Sequence, residues 1–160
     1  MARGVQIAVI GKGSPDSELA PIAEEVGRRL AEAEAVVVCG GLAGVMEAAA
    51  RGASAAGGTV IGVIPSSQAE DANRHCTHVI ATGIGHARNL AVVSSGDAVI
   101  AIGGEWGTLS EIAYARELGR AVVAIESWQL SAAGIMSGGL GIEVAPDPAT
   151  AVKLALERAG

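Results

Sequence analysis

The sequence predicts a three-layer, doubly wound α/β fold, with a mostly parallel sheet of about six or seven strands and helices on both faces. Three observations carry this. Short β-branched runs alternate with Ala-rich segments of helical spacing from end to end, the pattern of βαβ units. Several runs are apolar without interruption, as strands covered on both faces must be. The chain has 160 residues, half of them hydrophobic, enough to bury one substantial core but not two. One domain over residues 1–160 is therefore expected, with no linker, internal repeat or low-complexity segment.

The first strand is Val5 to Ile10. After the turn from Gly11 to Ser14, Pro15-Asp16-Ser17 offers helix-start residues, and Leu19, Ile22, Ala23, Val26 and Leu30 recur on one helix face. Ala35 to Cys39 is the second strand and stops at Gly40-Gly41. A second helix follows from Gly44 to Ala56, closed by Gly57-Gly58. Thr59 to Ile64 is the third strand, ended by Pro65. The polar stretch from Ser66 to Arg74 reads as an exposed loop leading to a short strand, Thr77 to Ile80. Ile84 to Ser95 forms a third helix and Asp97 to Ile102 a buried strand ending at Gly103-Gly104. The fourth helix runs from Thr108 to Leu118 with Gly119 as its stop, and Ala121 to Ile125 returns to the sheet. An irregular connection, Glu126 to Gly139, leads to a last strand, Ile142 to Val144. Asp147-Pro148 then caps a final helix through Leu156.

Composition removes several functions. A net charge of −6 gives no footprint for a polyanion, so nucleic acid is not an expected partner. No apolar run reaches the roughly 20 residues that span a bilayer, and no signal segment opens the chain. A cytoplasmic location without membrane association is the expectation. Cys39 and Cys76 lie far apart in sequence, which suggests neither a disulfide framework nor a metal site. His75-Cys76-Thr77-His78 lacks a fourth ligand, and Cys39 reads as a small core residue.

Ligands of open α/β sheets collect beyond the carboxyl ends of the strands, so the loops there hold the candidates. Gly11-Lys12-Gly13-Ser14 begins like a dinucleotide fingerprint, but Asp16 stands where the third glycine belongs, and the second strand ends in Cys39 instead of a carboxylate. NAD is not expected, and no phosphate-loop motif of the GxxxxGK[ST] type exists. Two further loops, Gly40-Gly41-Leu42-Ala43-Gly44 and Gly103-Gly104-Glu105-Trp106-Gly107-Thr108, each lead into a helix N-terminus. Backbone N–H groups and the helix dipole there favour an anion, although glycines also serve tight turns. The candidate phosphate contacts are Gly11, Lys12, Ser14, Gly40, Gly41, Gly44, Gly103, Gly104, Gly107 and Thr108. Arg88 and Asn89 join them, because a guanidinium grips phosphate bidentately; the plain alternative is a solvated arginine on a helix face. Thr108-Leu109-Ser110-Glu111 fits a capping box, which would account for Glu111 without chemistry. The other reading has Glu111 stabilise positive charge developing on a ribose. Trp106 either stacks on a ligand ring or covers the glycine turn.

Three segments, Cys39 to Glu47, Ala87-Arg88-Asn89 and Gly103 to Glu111, resemble in order the LOG-type Rossmann-like superfamily. That group holds cytokinin-activating phosphoribohydrolases, proteins labelled lysine decarboxylase-like, molybdenum-cofactor carriers and the more distant DprA-related proteins. The resemblance covers nearly the whole chain and is strongest to the short bacterial branch near the molybdenum-cofactor carriers. It implies binding of a phosphorylated nucleotide-like or pterin-like ligand, for example molybdenum cofactor. The alternative it implies is a nucleoside 5′-monophosphate phosphoribohydrolase with Arg88 and Glu111 at the catalytic centre. The hydrolase motif reads Pro-Gly-Gly with one residue before Gly-Thr; here Ile102 precedes Gly103-Gly104, and Glu105 and Trp106 both intervene. Lysine decarboxylation and pyridoxal phosphate are not expected, since the only lysines are Lys12 and Lys153 and only Lys12 is near the loops. A DNA-binding, DprA-like role is disfavoured by the acidic balance. Ala- and Leu-rich helix faces lead to the expectation of a homo-oligomer, a dimer or tetramer.

Overall fold

The computed structural model describes residues 3–160, with the backbone alone for residues 135–138. In chain order the elements are β1 (Gln6–Gly11), α1 (Leu19–Glu32), β2 (Val36–Cys39), α2 (Val45–Ala55), β3 (Val60–Ile64) and β4 (His78–Ala81). They continue with α3 (Arg88–Ser95), β5 (Ala98–Ile102), α4 (Trp106–Glu117), β6 (Ala121–Ile125), β7 (Ser131–Ala132), β8 (Ile135–Met136), β9 (Ile142–Val144) and α5 (Pro148–Ala159). Seven strands form one sheet in the order β4-β3-β2-β1-β5-β6-β9, and every neighbouring pair is parallel. This is the doubly wound α/β fold that the alternating sequence predicts.

The period-two alternation of strands decides which layer each side chain joins. Ile7, Val9, Val37, Cys39, Ile100, Ile102 and Val123 face the layer built with α1, α2 and α5. Their neighbours Ala8, Ile10, Val38, Val99, Ala101 and Val122 face α3 and α4. A chain without Phe fills these layers with small side chains, so the backbones come close. A Cβ on Gly27 of α1 would lie 2.0 Å from the Ala49 carbonyl oxygen, and one on Gly52 of α2 1.9 Å from that of Glu24. Arg51 then ties the two helices at their surface, its Nη2 lying 2.8 Å from a Glu24 carboxylate oxygen.

Several boundaries differ from the sequence expectation, each for a local reason. The helix expected over 84–95 is a single 3₁₀ turn, Gly85–Ala87, followed by α3 from Arg88, because Gly83 and Gly85 take left-handed backbone. The connection expected to be irregular contains the antiparallel β7–β8 hairpin. Ala133 and Gly134 form its two-residue turn with φ of 50° and 80°, the positive pair that such hairpins need. The 66–74 loop includes a short 3₁₀ turn, Ala69–Asp71. Asp147 caps α5 by accepting a hydrogen bond from the Thr150 N–H at 2.7 Å, with Pro148 in the first turn; the helix runs three residues past the expected Leu156.

Candidate functional site

Strand order reverses between β1 and β5: from β1 the chain proceeds toward β2, and from β5 toward β6. The loops beyond these two strands therefore separate and leave a crevice. A cavity of about 300 Å³ lies there. Of the residues expected to bind a ligand, the structure brings Gly11, Gly40, Arg88, Asn89, Gly107, Thr108 and Glu111 to its wall. It places Lys12, Ser14, Gly41, Gly44, Gly103 and Gly104 outside that lining.

The reason is that one of the two glycine-rich mouths is a packing joint. The Val45 N–H that opens α2 donates to the Lys12 carbonyl at 2.9 Å, and a Cβ on Gly44 would lie 2.3 Å from that same oxygen. The first loop thus caps the helix end that was expected to hold an anion. Gly41 packs on Ile64 and Gly62, and its carbonyl accepts from the Asn73 N–H at 2.8 Å. Asn73 also donates from Nδ2 to the Leu42 carbonyl at 2.9 Å. The 66–74 loop therefore braces this glycine turn. Lys12 is held by Asp16, Nζ to carboxylate oxygen 2.9 Å.

At the other mouth the expected capping box does not form. Gly103 and Gly104 take φ of 58° and 128°, which only glycine adopts readily, and α4 begins at once behind them with Glu105 as N-cap. Thr108 therefore lies inside the first turn, buried beneath Gly104, and no side chain caps this helix. Glu111 is thereby released from the local role the sequence offered it, and it points into the cavity from the second turn of α4. Trp106 is 77% exposed and packs against Trp128, ring centroids 5.2 Å apart, neither covering the glycine turn nor lining the cavity. The Trp128 indole N–H donates to the Glu105 carbonyl at 3.2 Å.

Arg88 is not the solvated arginine of the plain alternative. It is the first residue of α3 and 6% exposed. Its Nη2 donates to the Gly40 carbonyl at 3.3 Å, while Nε is buried with no partner. The Asn89 Oδ1 is likewise buried and unpartnered. Among the described residues no carboxylate lies within 4.0 Å of the Arg88 guanidinium, and the Glu111 carboxylate accepts no hydrogen bond. Burial pulls the Arg88 pKa down, opposed by Glu111 and the Cys39 thiol. Burial pushes Glu111 up to about 7, against the pull of Arg88. Buried polar groups without partners cost about 1–3 kcal/mol each, and Arg88 and Asn89 each bring one such group to the lining of this cavity.

Linkage gives Glu111 a stability signature. Its carboxyl holds a proton up to about pH 7 when folded, against an ordinary value of 4.5. Between those values the folded state carries more protons, so stability falls as pH rises; the contribution is complete below 4.5 and lost through 7. Glu111→Gln is expected to remove this loss, unfolding at pH 8 with a free energy higher than the parent's by on the order of 3 kcal/mol. Urea denaturation at pH 4 and pH 8 checks this; equal pH slopes in both proteins would refute it.

The sequence reading missed Gly13, Leu42, Met46, His86 and Glu105, which also line the cavity. Gly13, Leu42, Met46 and Glu105 stand inside segments already singled out, and His86 lies two residues before Arg88. Leu42 and Met46 carry no chemical signal, and only the fold reveals their position.

Comparison with known proteins agrees with this architecture. The family model described as the SLOG cluster4 family matches residues 4–146. A protein of Archaeoglobus fulgidus, described as uncharacterized, is 45% identical over 122 residues, covering 76% of this chain and 80% of its own. The molybdenum cofactor binding protein of the phototrophic bacterium Rippkaea orientalis has 30% identity and a TM-score of 0.87 over 98% of each chain. The molybdenum cofactor carrier protein MCP of Chlamydomonas reinhardtii has 27% identity and a TM-score of 0.82, over 97% of this chain and 98% of its own. Among the described residues no helix is long and apolar enough to cross a membrane.

Proposed function

This chain belongs to the SLOG cluster4 family, and on that premise we propose that it binds and carries a phosphorylated pterin-like ligand, molybdenum cofactor, in the cavity between the β1 and β5 ends. The observation that carries this reading is Arg88, a buried guanidinium with an unpartnered Nε at the cavity wall. A guanidinium is suited to a phosphate monoester, which accepts two parallel N–H bonds. The N-terminal turn of α4, where Gly107 has open space around it, offers further backbone donors. Asn89 and the protonated form of Glu111 supply the mixed acceptors and donors that a pterin ring edge requires. Likeness in fold to molybdenum cofactor binding and carrier proteins over almost the full length supports the choice of ligand. The acidic balance of the chain argues for a small ligand over nucleic acid.

A second reading has its own observation. Glu111, titrating near 7 in a buried site beside an arginine, is suited to general acid–base work on an N-glycosidic bond. In that reading the protein hydrolyses nucleoside 5′-monophosphates.

One experiment separates the two. The purified protein is mixed under anaerobic conditions with molybdenum cofactor and, in parallel, with a panel of nucleoside 5′-monophosphates, while calorimetry follows binding and chromatography follows free base. The expected result is stoichiometric binding of the cofactor without base release. Base release abolished in Glu111→Gln would instead establish the hydrolase, and binding of neither ligand class would overturn both readings.

A further inference from the structure

Cys39 ends β2 and Cys76 lies just before β4, with β3 between these strands. Cys39 is in register with Gly62 of β3. Side chains in register on neighbouring parallel strands leave the same face, one strand spacing of about 4.8 Å apart. Gly62 has no side chain, and a Cβ built there would lie 2.6 Å from the Cys76 Sγ and 3.3 Å from its Cβ. The Cys76 thiol therefore fills the place of a side chain at Gly62, beside Cys39. Both sulfurs pack against the same apolar layer, and both are free thiols. Sequence distance, which argued against any pairing of the two, is cancelled by the parallel crossover through β3.

The two thiols are unequal. Cys39 is fully buried, whereas Cys76 is partly exposed. Interaction with Cys76, together with burial, pushes the Cys39 thiol up, and the same interaction holds the Cys76 thiol below its ordinary value. Cys76, the partly exposed residue of the pair, is thus the more readily ionised, with a second thiol beside it.

We propose that Cys39 and Cys76 form a redox-active pair, which a low-molecular-weight disulfide converts into an intramolecular disulfide through attack by Cys76. The Cys76 thiolate attacks one sulfur of the small disulfide, forming a mixed disulfide and expelling one thiolate. Cys39 then loses its proton and attacks the Cys76 sulfur, releasing the second small thiol. Two protein thiols are oxidised and one small disulfide is reduced to two thiols, so atoms and electrons balance. Cys39 directly precedes Gly40, which lines the cavity and whose carbonyl accepts from Arg88.

Glutathione disulfide is the probe. After incubation of the intact folded chain, alkylation under denaturing conditions is expected to find neither thiol, with an intact mass lower by two hydrogens and one tryptic species joining the Cys39 and Cys76 peptides. Cys39→Ser is expected to stop at one glutathione on Cys76, and Cys76→Ser to leave Cys39 unmodified. The proposal is overturned if the parent retains both thiols, ends as a stable glutathione adduct, or links two chains. Peptide mapping of the parent decides these outcomes without any variant.

Discussion

Arg88→Ala is expected to weaken binding of molybdenum cofactor roughly 100-fold, a loss on the order of 3 kcal/mol, the usual cost of removing one partner from a buried, charge-assisted phosphate contact. The expectation rests on where the sequence puts this cation. As the first residue of α3 it is desolvated to 6% exposure, and its hydrogen bond to the Gly40 carbonyl leaves Nε without a partner among the described residues. Folding gains little from such a group, because the Gly40 carbonyl supplies no countercharge and Glu111 stands beyond ion-pair distance. The melting temperature of Arg88→Ala should therefore stay at or above that of the parent, which separates loss of a ligand contact from loss of structure. Arg88→Lys keeps the charge but not the planar fork, and should fall between parent and alanine variant. Calorimetric titration of all three proteins with the cofactor checks this. An affinity for Arg88→Ala within threefold of the parent would remove Arg88 from the site.

The second large effect concerns stability. Gly→Ala inside a helix ordinarily stabilises by up to about 1 kcal/mol, through helix propensity and a smaller loss of backbone entropy. At Gly52 the sign is expected to reverse. The added Cβ would meet the Glu24 carbonyl oxygen at 1.9 Å, and Gly27 makes the reciprocal close approach to the Ala49 carbonyl. These atoms are backbone and cannot rotate away, so α1 and α2 must separate and loosen the layer made by Ala23, Val26, Ala49 and Ala53. Overpacking of this kind costs about 1–3 kcal/mol, and the lowered melting point should lie about 3–10 °C beneath the parent's. Gly107→Ala is the control, since nothing lies within 4 Å of a Cβ there; its stability should be unchanged or slightly higher. Thermal unfolding of the two variants beside the parent makes the comparison. A Gly52→Ala protein as stable as Gly107→Ala would show that the crossing is not tight.

Legibility in the sequence differed between fold and site for a physical reason. The strands were readable because burial on both faces demands unbroken apolar runs such as Val36-Val37-Val38 and Ala98 to Ile102, and the helix ends because Gly57, Gly119 and Asp147-Pro148 act locally. Boundaries went astray where the backbone conformation of a few glycines decided them. Gly83 and Gly85 delay α3 to Arg88, while Gly103 and Gly104 start α4 two residues early. That second shift matters most, since it dissolves the local cap that Thr108 and Glu111 appeared to make.

The sequence by itself determined the alternation of strands and helices, the family resemblance carried by three glycine-bearing segments, and the position of Arg88 and Glu111 in two of them. These are properties of short windows, where periodicity and turn chemistry act between near neighbours. Only the tertiary structure decided which glycines face a cavity and which join backbones, that Arg88 and Glu111 share one cavity wall without pairing, and that Cys39 meets Cys76 across Gly62. Each of those facts depends on strand order and register, and so on contacts between segments far apart in the chain, where no local pattern records what one will find in the other.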